Sequence, residues 1–123
     1  MTRTIGVACA AAAAAALVFA TAAAAHDPDD VRVRGKCTQA STWKLELSEE
    51  DGGVEVEFEV DQNRAGVRWG VVIRRGDRVI QRTTKVTRAP SGSFEARVVS
   101  RREGRFTATA TRPGERCTAA ATF

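Results

Sequence analysis

Apolar and polar residues alternate along most of the chain beyond residue 30. The clearest run covers residues 54–60, in which valine or phenylalanine at every second position is separated by a glutamate. Successive side chains of a β-strand point to opposite faces, so this run predicts a strand with one buried and one solvated face. Beyond the amino-terminal segment, no run follows the helical period of 3.6 residues.

Six further runs alternate in the same way, and glycine- or proline-containing turns separate them at residues 51–53, 75–77, 90–92 and 112–115. The run 77–87 alternates poorly and is rich in basic residues, which predicts an edge strand. Short strands at this spacing indicate an all-β sandwich or barrel. The residues predicted to point inward in the six runs are Val31, Val33, Gly35, Trp43, Leu45, Leu47, Val67, Trp69, Val71, Ile73, Phe94, Ala96, Val98, Phe106, Ala108, Ala110, Cys117, Ala119, Ala121 and Phe123.

Two of these runs resemble strands of an immunoglobulin-like sandwich. Residues 67–71 (VRWGV) resemble strand C with its inward tryptophan, and residues 106–110 (FTATA) resemble strand F with phenylalanine in place of the usual tyrosine. The resemblance covers residues 31–123 and implies an immunoglobulin-like sandwich of about seven to eight antiparallel strands with one disulfide. The implied strands are A (31–36), A′ (42–48), B (54–61), C (67–74), C′ (78–86), E (93–100), F (105–112) and G (116–123).

This resemblance also implies how the strands are placed. Strand B is expected between A and E, and A′ is expected to run parallel to G, so that both begin at the same end of the sandwich. The architecture hosts many functions and therefore implies no activity. The arginine-rich, tyrosine-free composition is similar to that of small secreted actinobacterial proteins, a resemblance that likewise implies no particular activity.

The first 25 residues have the organisation of a secretory signal. Arg3 is a short positive region, an alanine-rich apolar stretch follows, and Ala23–Ala25 form a small-residue cleavage site. We expect cleavage before His26, a flexible segment at 26–30, a secreted mature domain at 31–123 and no stable membrane insertion. The alternative is an uncleaved anchor, because residues 5–25 contain no charge and are long enough to span a bilayer.

Removal of the signal also removes Cys9 and leaves Cys37 and Cys117 as a pair in an oxidising compartment. We expect them to form one disulfide, which the loop-entropy model values at on the order of 4 kcal/mol. The alternative, a reactive thiol or a metal site, needs more ligands than His26, the one histidine of the chain, supplies. We therefore expect neither a metal nor a cofactor.

Charge is unevenly distributed along the chain. The net charge is +4, and it falls to +3 without the signal, which argues against nucleic-acid binding by bulk charge. Residues 46–61 hold eight acidic and no basic side chains, whereas residues 64–105 hold twelve basic and three acidic ones. In the implied fold, the glutamates at 55, 57 and 59 are neutralised by basic residues of strands A and E, namely Arg32, Arg34, Lys36 and Arg97.

The opposite sheet is expected to present a basic outer surface. Arg68 and Arg74, with Arg78 or Arg82, would share it with threonines, and guanidinium groups bind sulfate, phosphate and carboxylate in a bidentate manner. The candidate ligand-binding residues are Arg68, Arg74, Arg82, Thr107 and Thr109, with Thr111, Thr118 and Thr122 on the same face. The alternative is that this face only keeps the sheet soluble. It carries no outward aromatic residue to stack on bases, so no nucleic acid is expected.

Catalytic residues are scarce. A single histidine at the expected new terminus and the absence of tyrosine leave a serine or cysteine nucleophile without a base, and Glu55, Glu57 and Glu59 line one face instead of facing each other. We expect a secreted, non-enzymatic module that binds a ligand or associates with the cell envelope. Its expected partner is an anionic envelope polymer or an extracellular protein. The alternative is a small enzyme inhibitor that uses the loop at 61–66.

Two loops carry motifs that we interpret as turns. Residues 75–77 (RGD) resemble an integrin-ligand tripeptide, but Gly-Asp also suits the tip of a hairpin. Asp61, Gln62 and Asn63 offer oxygen atoms to Ca²⁺, but they are too few for its six to eight ligands. A capped turn is therefore the preferred interpretation of this loop.

Overall fold

The computed structural model describes residues 29–123, which form eight antiparallel strands and no helix. The predicted all-β fold is confirmed, and each strand end agrees with the prediction to within two residues. The predicted signal at 1–25 and His26 lie outside the described residues. Within the described range, nothing forms a helix able to cross a membrane. The strands are β1 (Val31–Lys36), β2 (Thr42–Glu50), β3 (Gly53–Asp61), β4 (Arg68–Arg75), β5 (Arg78–Val86), β6 (Ser93–Ser100), β7 (Arg105–Arg112) and β8 (Glu115–Thr122).

The strands form two four-stranded sheets with the orders β1-β2-β3-β6 and β5-β4-β7-β8. The sheets pack face to face as a sandwich, and β5 contacts β6 along one side while β1 contacts β8 along the other. The predicted assignment of β5 as an edge strand is confirmed. A register shift at Ile73 and Arg74 explains its poor alternation, because it brings Ile80 against the core instead of leaving it outside.

One implied placement is wrong. The strand at 54–61 does not lie between those at 31–36 and 93–100, because β2 is inserted and pairs with both β1 and β3. The physical reason is the shortness of the two connections, since consecutive strands joined by tight turns pair as antiparallel hairpins. β2 nevertheless begins at the same end as β8, where Ser41 hydrogen-bonds to Glu115.

The inward faces of both sheets form a single core. Trp69, Phe58 and Phe106 are its largest fully buried side chains, and aliphatic residues and alanines fill the space between them. Val67 and Trp43 are only half-buried at its margin. The alternation had predicted these inward positions, so the pattern of the sequence and the packing agree.

The predicted disulfide joins the two sheets at one end. Cys37 follows β1, Cys117 lies in β8, and their sulfur atoms are 2.03 Å apart. The backbone beside it is also fixed, because Thr38 N donates to Arg116 O and Arg116 N donates to the Thr38 hydroxyl, both at 2.9 Å. The link therefore fixes β1 of one sheet to β8 of the other.

Candidate anion-binding face

The outer surface of the β5-β4-β7-β8 sheet brings the predicted arginines and threonines together. Strand register aligns them in rows across the sheet, so that Arg82 and Thr109 flank Val72, and Thr107 lies beside Arg74. We call this surface the basic face. Its outward residues are Arg68, Gly70, Val72 and Arg74 on β4, Val79, Arg82, Thr84 and Val86 on β5, Thr107, Thr109 and Thr111 on β7, and Arg116, Thr118, Ala120 and Thr122 on β8.

The basic face has no acidic residue to balance its arginines. Arg68, Arg74, Arg82 and Arg116 are exposed, and none of them forms a salt bridge with any residue in the range 29–123. Small side chains and the bare backbone of Gly70 occupy the space between them. The guanidinium groups therefore surround a low surface on which a ligand has room to lie.

The outer surface of the β1-β2-β3-β6 sheet, which we call the paired face, is neutralised internally. Arg32 contacts Glu46 at 2.9 Å, and Arg97 contacts Glu57 together with two neighbouring glutamates. The predicted neutralisation is confirmed for Arg97 but is wrong for the basic residues of β1. Because β2 lies between β1 and β3, Arg32 pairs with Glu46 instead, and Lys44 of β2 is the cation beside Glu59. The outward charged residues are Arg32, Arg34, Lys36, Lys44 and Arg97, and Glu46, Glu55, Glu57, Glu59, Asp61 and Glu95.

Crowding of carboxylates on the paired face affects Glu57 in particular. Partial burial raises its pKa, and the negative charge of Glu95 raises it further. The close contact with Arg97 acts in the opposite direction but does not outweigh these two causes. The glutamate row of β3 is thus half-buried and ion-paired.

The structure resolves the choice between Arg78 and Arg82. Arg82 faces Val72 on the basic face, whereas Arg78 pairs with Arg75 at the end of the β4–β5 hairpin. Arg116 also lies on the basic face, although it was not among the predicted candidates. Its place was readable from the alternation, because its neighbour Cys117 points inward.

A buried carboxylate supports the strand end beside the basic face. Glu115 accepts hydrogen bonds from the Ser41 amide at 2.9 Å and the Ser41 hydroxyl at 2.8 Å, and Arg112 contacts it at 3.1 Å. Burial alone would raise the pKa of Glu115, but these donors outweigh burial and lower it. Arg112 also lies 5.5 Å from the Trp69 ring centroid. Glu115 therefore holds in place the loop at 37–41, which joins β1 to β2 and carries Cys37.

Both turn interpretations are confirmed. Residues 75–77 close the β4–β5 hairpin, with Gly76 at a φ of 55° and its amide donating to Arg105 O at 2.8 Å. Asp61 caps the other turn by accepting from the Asn63 amide at 2.9 Å. Among residues 29–123, no group of three histidine, cysteine or acidic side chains is arranged to hold a metal ion.

Comparison of the chain with protein-family models, with curated proteins and with solved structures found no match. Guanidinium and hydroxyl groups on the basic face can donate hydrogen bonds to oxyanions.

Proposed function

We propose that the protein is a non-enzymatic binding module that acts outside the cell and binds an anionic polymer on its basic face. The observation that carries this proposal is the set of four exposed arginines with no carboxylate beside them. A surface that only keeps the protein soluble can carry both positive and negative side chains, as the paired face does. A ligand that supplies the missing negative charge accounts for the difference.

The spacing of the arginines favours an extended ligand. Arg68 and Arg74 lie on the same strand, six residues and hence about 20 Å apart along it. A single small anion cannot contact both, but a chain with regularly placed sulfate, phosphate or carboxylate groups can. The threonines of β7 lie between these positions and the outer strand β8, where their hydroxyls can donate to sugar or ester oxygens.

Location outside the cell is supported by the disulfide. Such bonds persist in oxidising compartments and are rare in the cytosol. The Cys37–Cys117 bond links the amino-terminal strand to the last strand of the domain. It suits a small domain that must remain folded in the cell envelope or beyond it.

The test is binding to dextran sulfate, with neutral dextran as the negative probe, at low and high salt. The variant Arg68→Ser/Arg74→Ser/Arg82→Ser should lose at least about tenfold in affinity, because charge-assisted hydrogen bonds are lost. The matched control Arg34→Ser/Lys36→Ser/Arg88→Ser removes the same charge elsewhere and should bind like the parent. Equal losses in both variants, or no binding of the parent at low salt, would contradict the proposal.

A second candidate function, inhibition of an extracellular enzyme, is supported by the rigidity of the loop predicted at 61–66, which in the structure spans 62–67 between β3 and β4. Thr87 donates from its hydroxyl to Arg64 O at 2.7 Å and accepts from the Val67 amide at 2.9 Å. Gly92 lies so close to Arg64 that a side chain there would collide with the loop backbone. The exposed loop is thus held in one conformation, as insertion into an enzyme cleft requires.

Trypsin tests this candidate, because Arg64 is exposed in the loop. A preorganised inhibitory loop should leave the Arg64–Ala65 bond intact and slow hydrolysis of a peptide substrate. The Thr87→Val variant should free the loop and make that bond cleavable. Rapid cleavage of the parent at Arg64 would remove this candidate.

A further inference from the structure

Four arginines line a groove at the end of the sandwich, and none of them is among the five predicted candidate ligand-binding residues. Arg75 and Arg78 come from the β4–β5 hairpin, and Arg101 and Arg102 come from the connection that follows β6. We call this feature the arginine groove. Its volume is about 440 Å³, and Val99 is among the residues that line it.

The backbone around the arginine groove is held by contacts that do not use the guanidinium groups. The Ser100 hydroxyl donates to Arg102 O at 2.7 Å and accepts from the Arg102 amide at 3.2 Å, which fixes the turn after β6. The aliphatic part of Arg75 packs over Gly104, whose φ of 145° suits glycine. Together with the Gly76–Arg105 hydrogen bond, these contacts hold the four arginines in place and do not involve their guanidinium groups.

The arginine groove has no internal counter-charge. No carboxylate lines it, and within residues 29–123 none of its four arginines forms a salt bridge. Asp77 and Glu103 are near in sequence, yet neither lines the groove. Four positive charges around one concave space attract a compact, multiply charged anion more strongly than isolated surface arginines do.

We propose that the arginine groove is a second site, specific for a tetrahedral oxyanion carried as a phosphate or sulfate ester. The fork of a guanidinium group matches two oxygens of such an anion. Val79 and Val99 are 37% and 52% exposed at the groove, and they offer apolar contact to the carbon part of an ester. The groove is compact, which distinguishes it from the extended surface of the basic face, although Val79 borders both.

The site is tested with pyrophosphate, phenyl phosphate and inorganic phosphate titrated into the full-length ¹⁵N-labelled protein. Saturable shifts should appear at the arginine Nε–H signals of the groove and at the amides of residues 100–104. Arg101→Ser/Arg102→Ser should weaken pyrophosphate binding about tenfold or more. Both side chains are exposed, so the variant should keep the melting temperature of the parent.

The matched control is Arg68→Ser/Arg82→Ser, which removes the same charge from the basic face and should bind pyrophosphate like the parent. Equal weakening in both variants, shifts spread over the basic face, or no saturable shift at millimolar pyrophosphate would each overturn the site. Phenyl phosphate should bind more tightly than inorganic phosphate, and the reverse order would overturn the assignment to an ester. This proposal does not rest on the polymer-binding function, since small anions do not span the basic face.

Discussion

The two sheets of the sandwich share one core and one alternating pattern, yet their outer faces differ in how charge is satisfied. On the paired face, basic and acidic side chains from neighbouring strands contact each other, as Arg97 does with three glutamates. On the basic face, the arginines have no acidic neighbour. Solubility is served by either arrangement, so solubility does not account for why the charges of one face are paired and those of the other are not.

The disulfide that joins the two sheets has the largest expected effect on stability. Replacing both cysteines (Cys37→Ser/Cys117→Ser) releases a loop of 80 residues in the unfolded chain, which costs on the order of 4 kcal/mol of stability. Urea unfolding should show this loss, and the melting temperature should fall by roughly 15–30 °C. The reduced parent protein is the control and should match the double variant. An unchanged midpoint would mean that the sheets are held together without the link.

Substitution of Glu115 has the next largest expected effect on stability. This residue belongs to β8, and its side chain is buried and does not lie on the basic face. Changing it to glutamine removes a buried charge bound by Ser41 and Arg112 and should destabilise the protein by about 2 kcal/mol. Because the folded pKa of Glu115 is lowered, its contribution is present above the unfolded pKa and is lost as pH falls through the folded value. Stability measured below neutral pH should therefore decline less in Glu115→Gln than in the parent. A parallel decline in both proteins would contradict this role.

Glu57 on the paired face should show the opposite pH dependence. Its folded pKa is raised, so its contribution is full below the unfolded pKa and is lost as pH rises through the folded value. Glu57→Gln should then be as stable as the parent at neutral pH, or slightly more stable, and should lack this loss. Glu59→Gln is a control, because Glu59 is more exposed and pairs with Lys44 at 3.9 Å. Marked destabilisation by Glu57→Gln would show that the contact with Arg97 outweighs burial.

Single arginine substitutions give the smallest effect and compare the two faces directly. Arg97→Ser should lower stability slightly at low salt, since three glutamates lose their partner, and the loss should shrink as salt is added. Arg82→Ser should leave stability unchanged or raise it slightly, because it relieves repulsion among unpaired arginines. Urea midpoints at two salt concentrations measure both variants. The reverse order would indicate that the basic face is stabilised by its own charges.

Most of the strands could be predicted from the sequence, because every second side chain of a strand with one buried face is apolar. The same rule predicted that Arg68, Arg74 and Arg82 share a surface with Thr107 and Thr109. It did not predict that β2 lies between β1 and β3, because alternation assigns faces and leaves open which strands are neighbours. The short connections decide that order, because consecutive strands joined by tight turns pair as antiparallel hairpins.

Other features depend on tertiary contacts that leave no local signal. The arginine groove combines positions 75 and 78 with positions 101 and 102, which are distant in sequence and are brought together by packing of the two sheets, including the contact between β5 and β6. The register shift between β4 and β5, which brings Ile80 against the core, interrupts the alternation of buried and exposed residues in β5 and has no local sequence signal either. Glu115 meets Ser41 across 74 residues of sequence. Such long-range contacts arise from packing of the two sheets and not from the pattern of one strand.

A chemical-shift map with a short dextran sulfate oligosaccharide is the most direct test of the proposal that the basic face binds a polyanion. We expect perturbed signals on β4 and β7, from residues 68–74 and 107–111, with further shifts on β8 at 116–118. Signals from the glutamate row of β3 should remain unchanged. Shifts confined to the paired face or to the loop at 62–67, or no shifts at low salt, would contradict it.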